Sequence, residues 1–451
     1  MTRRIPRSVA FLFTALVVAA ASYAAAPLLQ PDAFGSARPV PVPGAAGSLP
    51  GDAGSELGSV GDRLPLPARL SFWAARVEAA PTDFLSLVGL ALAHAERARL
   101  TADVGAYEQA LALVDRSISL VPAYPPTIRA RAAIRFATHD FAGAEADARA
   151  VLESAPDDPS ALAVLGDAAL ELGRPDDAAA AYARLEVVAP GPWLDVRRAR
   201  LAYATGDRSG AIQLATRARA IAPDADPENL GFYHYAVGEF GRLAGDARMA
   251  RIGFEAALSV RPDDPAALVG LARVAASEGS PEEAIAALER ATAIAPQPES
   301  LALLGDLLAA RDEAEAAADL YETVRLTGEL GRLAGALYDR QLLGFELDHG
   351  GASEAILAQA RASLEARPDA AGHDLVAWAL RRLGRLDEAA AMSDRARATG
   401  IDDARVAFHA GAIALARGDA RGGEALLREA LARGPALDPV ERAEAEQLLR
   451  G

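Results

Sequence analysis

The side chains that could do chemistry are few and poorly spaced for it. Six histidines, His94, His139, His234, His349, His373 and His409, are scattered along 451 residues, with no His-Glu-x-x-His pair or other ligand spacing that would hold a metal ion. Asp224, Asp226 and Glu228 alternate as calcium ligands do, but the glycine and the closing glutamate of such a loop are missing. The serine of Gly206-Asp-Arg-Ser-Gly210 is misplaced for a nucleophile elbow. The chain has no cysteine, which excludes thiol catalysis, disulfides, thiolate zinc sites and lipid modification of an N-terminal cysteine. It has no lysine either, so the phosphate-gripping lysine of a nucleotide loop and Schiff-base chemistry are both absent. No catalytic residue, cofactor or metal is expected, and the chain reads as a protein without enzymatic activity.

What the chain has instead is a repeated element. A Gly or Ala is followed by a glycine seven residues later and an alanine about twelve later, as in Gly166/Gly173/Ala178, Ala199/Gly206/Ala211, Gly238/Gly245/Ala250, Ala272/Gly279/Ala284, Gly344/Gly351/Ala355 and Ala377/Gly384/Ala389. A proline closes most units, at Pro156, Pro190, Pro223, Pro262, Pro296 and Pro435, which sets a period of about 34 residues. Each unit reads as a helical hairpin whose two helices cross so closely that only Gly or Ala fits at the contact, with the middle glycine turning the chain. Proline ends the second helix, because it lacks an amide donor and clashes with the preceding turn. Pro-Asp-Asp-Pro follows at residues 156–159 and 262–265, where an aspartate can accept from the free amides of the next helix. These paired acids read as caps, not as metal ligands.

These residues resemble the tetratricopeptide repeat family, whose pattern has Gly or Ala, then Gly, Ala and Pro at the same offsets. Large residues four after the alanine, Tyr182, Phe254, Leu288 and Tyr321, and small ones three further on, Ala257 and Ala291, extend the match. The resemblance implies an all-α solenoid of about ten hairpins over residues 84–436, wound as a right-handed superhelix. A helix over residues 68–83 would cap its start, and a charged helix within residues 437–451 its end. Departures occur where Glu329 and Ile401 replace proline, His139 replaces the turn glycine and Gly423 replaces the alanine. In the family the first helix of each unit lines a concave groove. The matching positions here give Arg129, Phe136, Trp193, Arg200, Tyr203, Phe232, Tyr235, Glu239, Arg242 and Arg273, then Tyr338, Gln341, Phe345, Asp348 and His349, and finally Asp374, Trp378, Arg381, Arg382, Arg405 and Phe408. In a chain that is only 5% aromatic, that set is rich in the Tyr, Trp, Phe and Arg that carry binding energy at protein interfaces. Phe232, Tyr235, Glu239 and Arg242 form the first expected sub-site, and Asp374 with Trp378 the second. The lysine-and-asparagine clamp of chaperone-binding relatives has no counterpart here.

The N-terminus follows other rules. Arg3, Arg4 and Arg7 precede an uncharged run from Ser8 to Ala26, which reads as a signal peptide or, if uncleaved, as a membrane anchor. Residues 27–67 are rich in Pro and Gly and read as a disordered linker. The expected location is therefore outside the cytoplasm, secreted or periplasmic, with or without a tether. The formal net charge is −16, which disfavours nucleic acid as a partner. Together these readings give a scaffold that binds a peptide or partner protein in its groove. The rival reading is a solenoid that binds or cleaves cell-wall glycans near Asp374 and Trp378.

Overall fold

The computed structural model describes residues 64–101, 104–223, 227–333 and 340–450. The N-terminal run 1–26, nearly all of the 27–67 linker, and Tyr338 lie outside the described residues. Among the described residues there are twenty-two α-helices and no strand. They are α1 (Leu66–Ala79), α2 (Phe84–Thr101), α3 (Val104–Leu120), α4 (Pro125–Ala137), α5 (Phe141–Ser154), α6 (Pro159–Glu171), α7 (Pro175–Val188), α8 (Pro192–Ala204), α9 (Arg208–Ile221), α10 (Pro227–Leu243) and α11 (Ala247–Val260). They continue as α12 (Pro265–Ser277), α13 (Pro281–Ile294), α14 (Pro298–Ala309), α15 (Ala314–Leu333), α16 (Arg340–Asp348), α17 (Glu354–Ala366), α18 (Ala370–Arg382), α19 (Leu386–Ala398), α20 (Ala404–Ala416), α21 (Ala420–Leu431) and α22 (Pro439–Arg450). Consecutive helices pack as antiparallel hairpins, among them α4–α5, α8–α9, α10–α11, α12–α13 and α20–α21. The described residues fall into two compact units, divided between Ala168 and Ala169.

The local chemistry of each hairpin follows the repeat. Asp207 caps α9 by accepting from the Gly210 amide at 2.8 Å. Asp264, fully buried, caps α12 by accepting from Ala266 and Ala267 at 3.1 and 3.2 Å, and Asp158 accepts from Ala161 at 2.9 Å. Such caps satisfy amides that a helix start leaves unpaired. The small residues make room for rings. A Cβ on Gly238 would lie 2.7 Å from the Phe254 ring and one on Gly305 2.5 Å from that of Tyr321, so the large residue of the second helix nests against a bare backbone. His139 keeps the left-handed turn at φ 64° without being glycine, a conformation that costs an ordinary residue about 1–2 kcal/mol. With Glu329 in place of proline, α15 runs on to Leu333. Gly350, not Gly351, is the left-handed residue of the α16–α17 turn.

In the first unit, Trp73 of α1 lies over Gly89 of α2, where a Cβ would be 2.5 Å from the indole, and Arg69 pairs with Glu96 at 2.6 Å. In the second unit the array comes back on itself. Three consecutive hairpin turns meet three consecutive inter-hairpin loops about 190 residues later: Gly173 against Pro368, Gly206 against Gly400, and Gly245 against Arg433. A Cβ would stand 2.6 Å from the Pro368 carbonyl oxygen at Gly173 and 2.9 Å from the Arg433 Cα at Gly245. Charge pairs seal the seam, Arg208 to Asp402 at 2.6 Å and Arg367 to Glu171 at 3.6 Å.

Two stability measurements check this packing. Ala284, wholly buried at the α12–α13 crossing, should lose about 1–3 kcal/mol on replacement by leucine through overpacking, and unchanged urea unfolding would contradict the assigned crossing. Gly206 and Gly279 both have positive φ, 86° and 78°, but only Gly206 faces another loop, for nothing lies within 4 Å of a Cβ at Gly279. Both alanine variants should pay about 1–2 kcal/mol for the backbone, and Gly206→Ala should lose at least about 1 kcal/mol more for the seam. Equal losses would count against the seam.

Candidate functional site

The concave side of the second unit is built from the first helices of its hairpins, α8, α10, α12, α14, α16, α18 and α20. The C-terminal segment, a 3₁₀ turn at Gly434–Ala436 followed by α22, packs into it against α10, α12, α14 and α20. Leu437 and Ala445 are buried in an apolar cluster with Leu448 and Leu449 against it, and the polar contacts are arginine to acid or carbonyl. Arg242, buried and paired with Glu239 at 2.6 Å, donates to the Pro435 carbonyl at 3.1 Å. Arg273 donates through Nε to Asp438 at 2.7 Å and through Nη2 to Glu299 at 2.6 Å. Arg405 reaches Asp438 at 3.4 Å and also pairs with Glu441. Further along α22, Glu444 takes Arg381 at 3.2 Å and Arg382 at 2.6 Å. Arginine suits this arrangement because its planar fork can serve two acids at once.

Electrostatics in the site follow from burial and these pairs. Burial opposes ionisation of Asp438, but Arg273 and then Arg405 outweigh it and hold its carboxyl well below the usual range. Burial wins at Glu441, where the neighbouring Asp438 charge offsets much of the attraction of Arg405 and the carboxyl is pushed up to about 7. Burial lowers His349, yet its hydrogen bond to Asp306 at 2.8 Å prevails and raises it. Between these groups lies a cavity of about 130 Å³, lined by Glu299, Asp306, Gln341, Asp348, His349 and Arg405 among others. Its carboxylates are committed: Glu299 to Arg273 and Gln341, Asp306 to Tyr321 and His349, Asp348 to the Trp378 indole. Among the described residues no group of three or more His, Asp or Glu side chains is placed to hold a metal ion.

The structure sorts the residues expected in the groove into two sets. Arg200, Tyr203, Arg242, Arg273 and Arg381 each hold an acid or a carbonyl of this same chain, and Glu239 holds Arg242. Arg200 takes Glu171 at 2.6 Å, and the Tyr203 hydroxyl donates to Asp403; burial, and after it the Asp403 charge, raise the Tyr203 pKa well above its ordinary value. The second set is packed away. Trp378 is 1% exposed and Phe408 0%, with the indole stacked on His409 at 3.9 Å and flanked by Arg381 and Arg382. Asp374 is buried and its carboxylate accepts from Nδ1 of the same His409 at 2.8 Å. Phe345 stacks on His349 at 4.3 Å, and Phe232 is buried against Tyr233. Tyr235 is half-buried beside Phe254, 5.7 Å between ring centres, and Trp193 is half-buried with Arg197 over its ring at 5.1 Å. In the first unit, Phe136 is buried and Arg129 pairs with Asp158 at 2.8 Å. The aromatic sub-sites expected at Phe232 and Trp378 are thus core, because the inward position of one helix is also the packing surface of its neighbour. The acids that complete the site, Asp438, Glu441 and Glu444, escaped the sequence reading. Their spacing of three along one helix face was the available signal.

Glu441 gives the site a pH dependence. Its carboxyl is raised from 4.5 to about 7 on folding, so the stability it contributes is complete below pH 4.5 and is lost as pH rises through about 7. The charged and titratable groups facing it are Arg405, Asp438, Asp348 and His409. Glu441→Gln should flatten the decline of the urea midpoint between pH 5 and pH 8, and an unchanged decline would remove Glu441 as its source.

Tetratricopeptide-repeat family models match this chain over residues 129–192 and 243–307. It is 31% identical over 169 residues to cellulose synthase operon protein C of Pseudomonas fluorescens strain SBW25, a stretch that is 36% of this chain and 13% of that protein. The match thus spans about an eighth of the length of that curated relative. Among solved structures, a tetratricopeptide repeat protein from Parabacteroides merdae covers 54% of this chain and 91% of its own, at 14% identity and a TM-score of 0.42. The human IFIT1 dimer with m7Gppp-AAAA covers 78% of this chain and 81% of its own, at 13% identity and a TM-score of 0.46. With the stacked hairpins and the Gly–Gly–Ala–Pro spacing around them, the two family-model matches identify residues 129–192 and 243–307 as tetratricopeptide repeats.

Proposed function

We propose that this chain is a non-catalytic scaffold that holds a partner protein on the concave face of its repeats, outside the cytoplasm, in an assembly that makes or exports polysaccharide. Tetratricopeptide repeats generally serve protein–protein interaction, which supports the first part. The observation that carries the reading is the concave face of residues 169–450, where Arg242, Arg273 and Arg405 already grip a peptide segment through its carbonyl and carboxylates. A face built to hold one acidic segment has the chemistry to hold another. The cellulose synthase operon protein to which 36% of the chain is similar supports the polysaccharide setting, and the apolar run of residues 8–26 supports export. Among the described residues no helix is long and apolar enough to cross a membrane.

The glycan-binding alternative at Asp374 and Trp378 loses support from the geometry. A sugar needs an open aromatic face, whereas the Trp378 ring is covered by His409 and two arginines. Crosslinking the native protein in its own envelope fraction, followed by mass spectrometry of the captured complex and of the mature N-terminus, tests the proposal. A specific protein partner is the expected outcome. Saturable binding of small glycans with no captured protein would overturn it.

A further inference from the structure

The segment between α21 and the second turn of α22 sits in the concave face as a bound chain would. It offers the Pro435 carbonyl to Arg242, Asp438 to Arg273 and Arg405, and Glu441 to Arg405. In a chain of net charge −16, three concave arginines directed at one short segment form a local exception to the prevailing acidity. We propose that these arginines are a receptor track for an extended acidic segment of a partner protein, and that residues 434–441 of this chain are its resident occupant, displaced when the partner binds. The proposal rests on the scaffold reading and adds to it the chemistry of the partner: a proline followed by carboxylates three residues apart, as in Pro435-Ala-Leu-Asp438-Pro-Val-Glu441.

The physical argument is one of exchange. Removing the resident segment alone would take the Pro435 carbonyl from buried Arg242 and Asp438 from buried Arg273, leaving them Glu239 and Glu299, and would strip half-exposed Arg405 of both its acids, which is unfavourable. Replacing it by a segment of the same chemistry keeps every pair. Tethering gives the resident a high effective concentration, so the closed form excludes weak or non-acidic competitors and admits only a partner that reproduces the pattern. The resident is also an imperfect ligand. Glu441 is so deeply buried beside Asp438 that part of its charge is lost near neutral pH, and a partner acid seated less deeply would retain its charge.

The test uses the full chain and a fluorescent synthetic peptide of residues 432–446. In the Asp438→Asn, Glu441→Gln double variant the resident grips less well, so the peptide should bind at least about tenfold more tightly than it does to the wild type, a change worth about 1.4 kcal/mol. Adding Arg273→Ala to the double variant should abolish that gain. Equal binding to wild type and double variant, or no binding to a double variant of normal helicity, overturns the proposal. Should the double variant lose its helicity, hydrogen exchange of the wild type decides. Excess peptide should speed exchange at the amides of residues 436–442, and unchanged rates there overturn the proposal. A protein partner still captured by crosslinking after such a failure would leave the scaffold reading standing, while peptide exchange without a captured protein would remove the scaffold reading alone.

Discussion

The second unit depends on the close return of its last three hairpins against its first three, with charge pairs drawn across the resulting concave face. A helical array contacts only its neighbours along the chain, and its stability is then a sum of local terms. Here contacts at a separation of about 190 residues join the two ends of the unit, at Gly173, Gly206 and Gly245 on one side and Pro368, Gly400 and Arg433 on the other. The approach is close enough that a single methyl group at Gly173 would meet a carbonyl oxygen. Turn glycines thus have two duties, a left-handed φ and a bare surface for the returning loop.

Arginine and carboxylate do the remaining work on the inside of that return. Arg273 joins Glu299 of α14 to Asp438 before α22, Arg405 holds Asp438 and Glu441 of that same segment, and Arg242 spans from Glu239 to a main-chain carbonyl. Pairs of this kind, taken out of water, contribute little net stability compared with an apolar contact of equal size, but breaking one partner costs about 3–5 kcal/mol. They therefore specify which segment fits more than they strengthen the fold. That is the property a recognition surface needs, and it explains why the concave face is polar while the rings expected there, Trp378 and Phe408, are sunk between helices.

The hairpins were legible in the sequence because their causes are local. Gly or Ala at the crossing, a left-handed turn and a closing proline each act within a few residues, and even the departures could be read, as at His139 and at the prolonged α15. The inward-facing arginines were legible from their register. The aromatics were not, since register gives the direction of a side chain and not whether the next helix covers it, as His409 and its neighbours cover Trp378. Nor was the return of the array. Nothing near Asp438 in sequence distinguishes a cap from a segment held by Arg273, 165 residues earlier.

The return itself is open to direct measurement, because a chain without cysteine accepts two labels cleanly. Ser209 and Thr399 are exposed and flank the Gly206–Gly400 contact. Spin labels on cysteines placed at these two positions, read by double electron–electron resonance, should give a single short and narrow distance distribution in solution. A long or broad distribution, as expected of an array that stays open, would contradict the account.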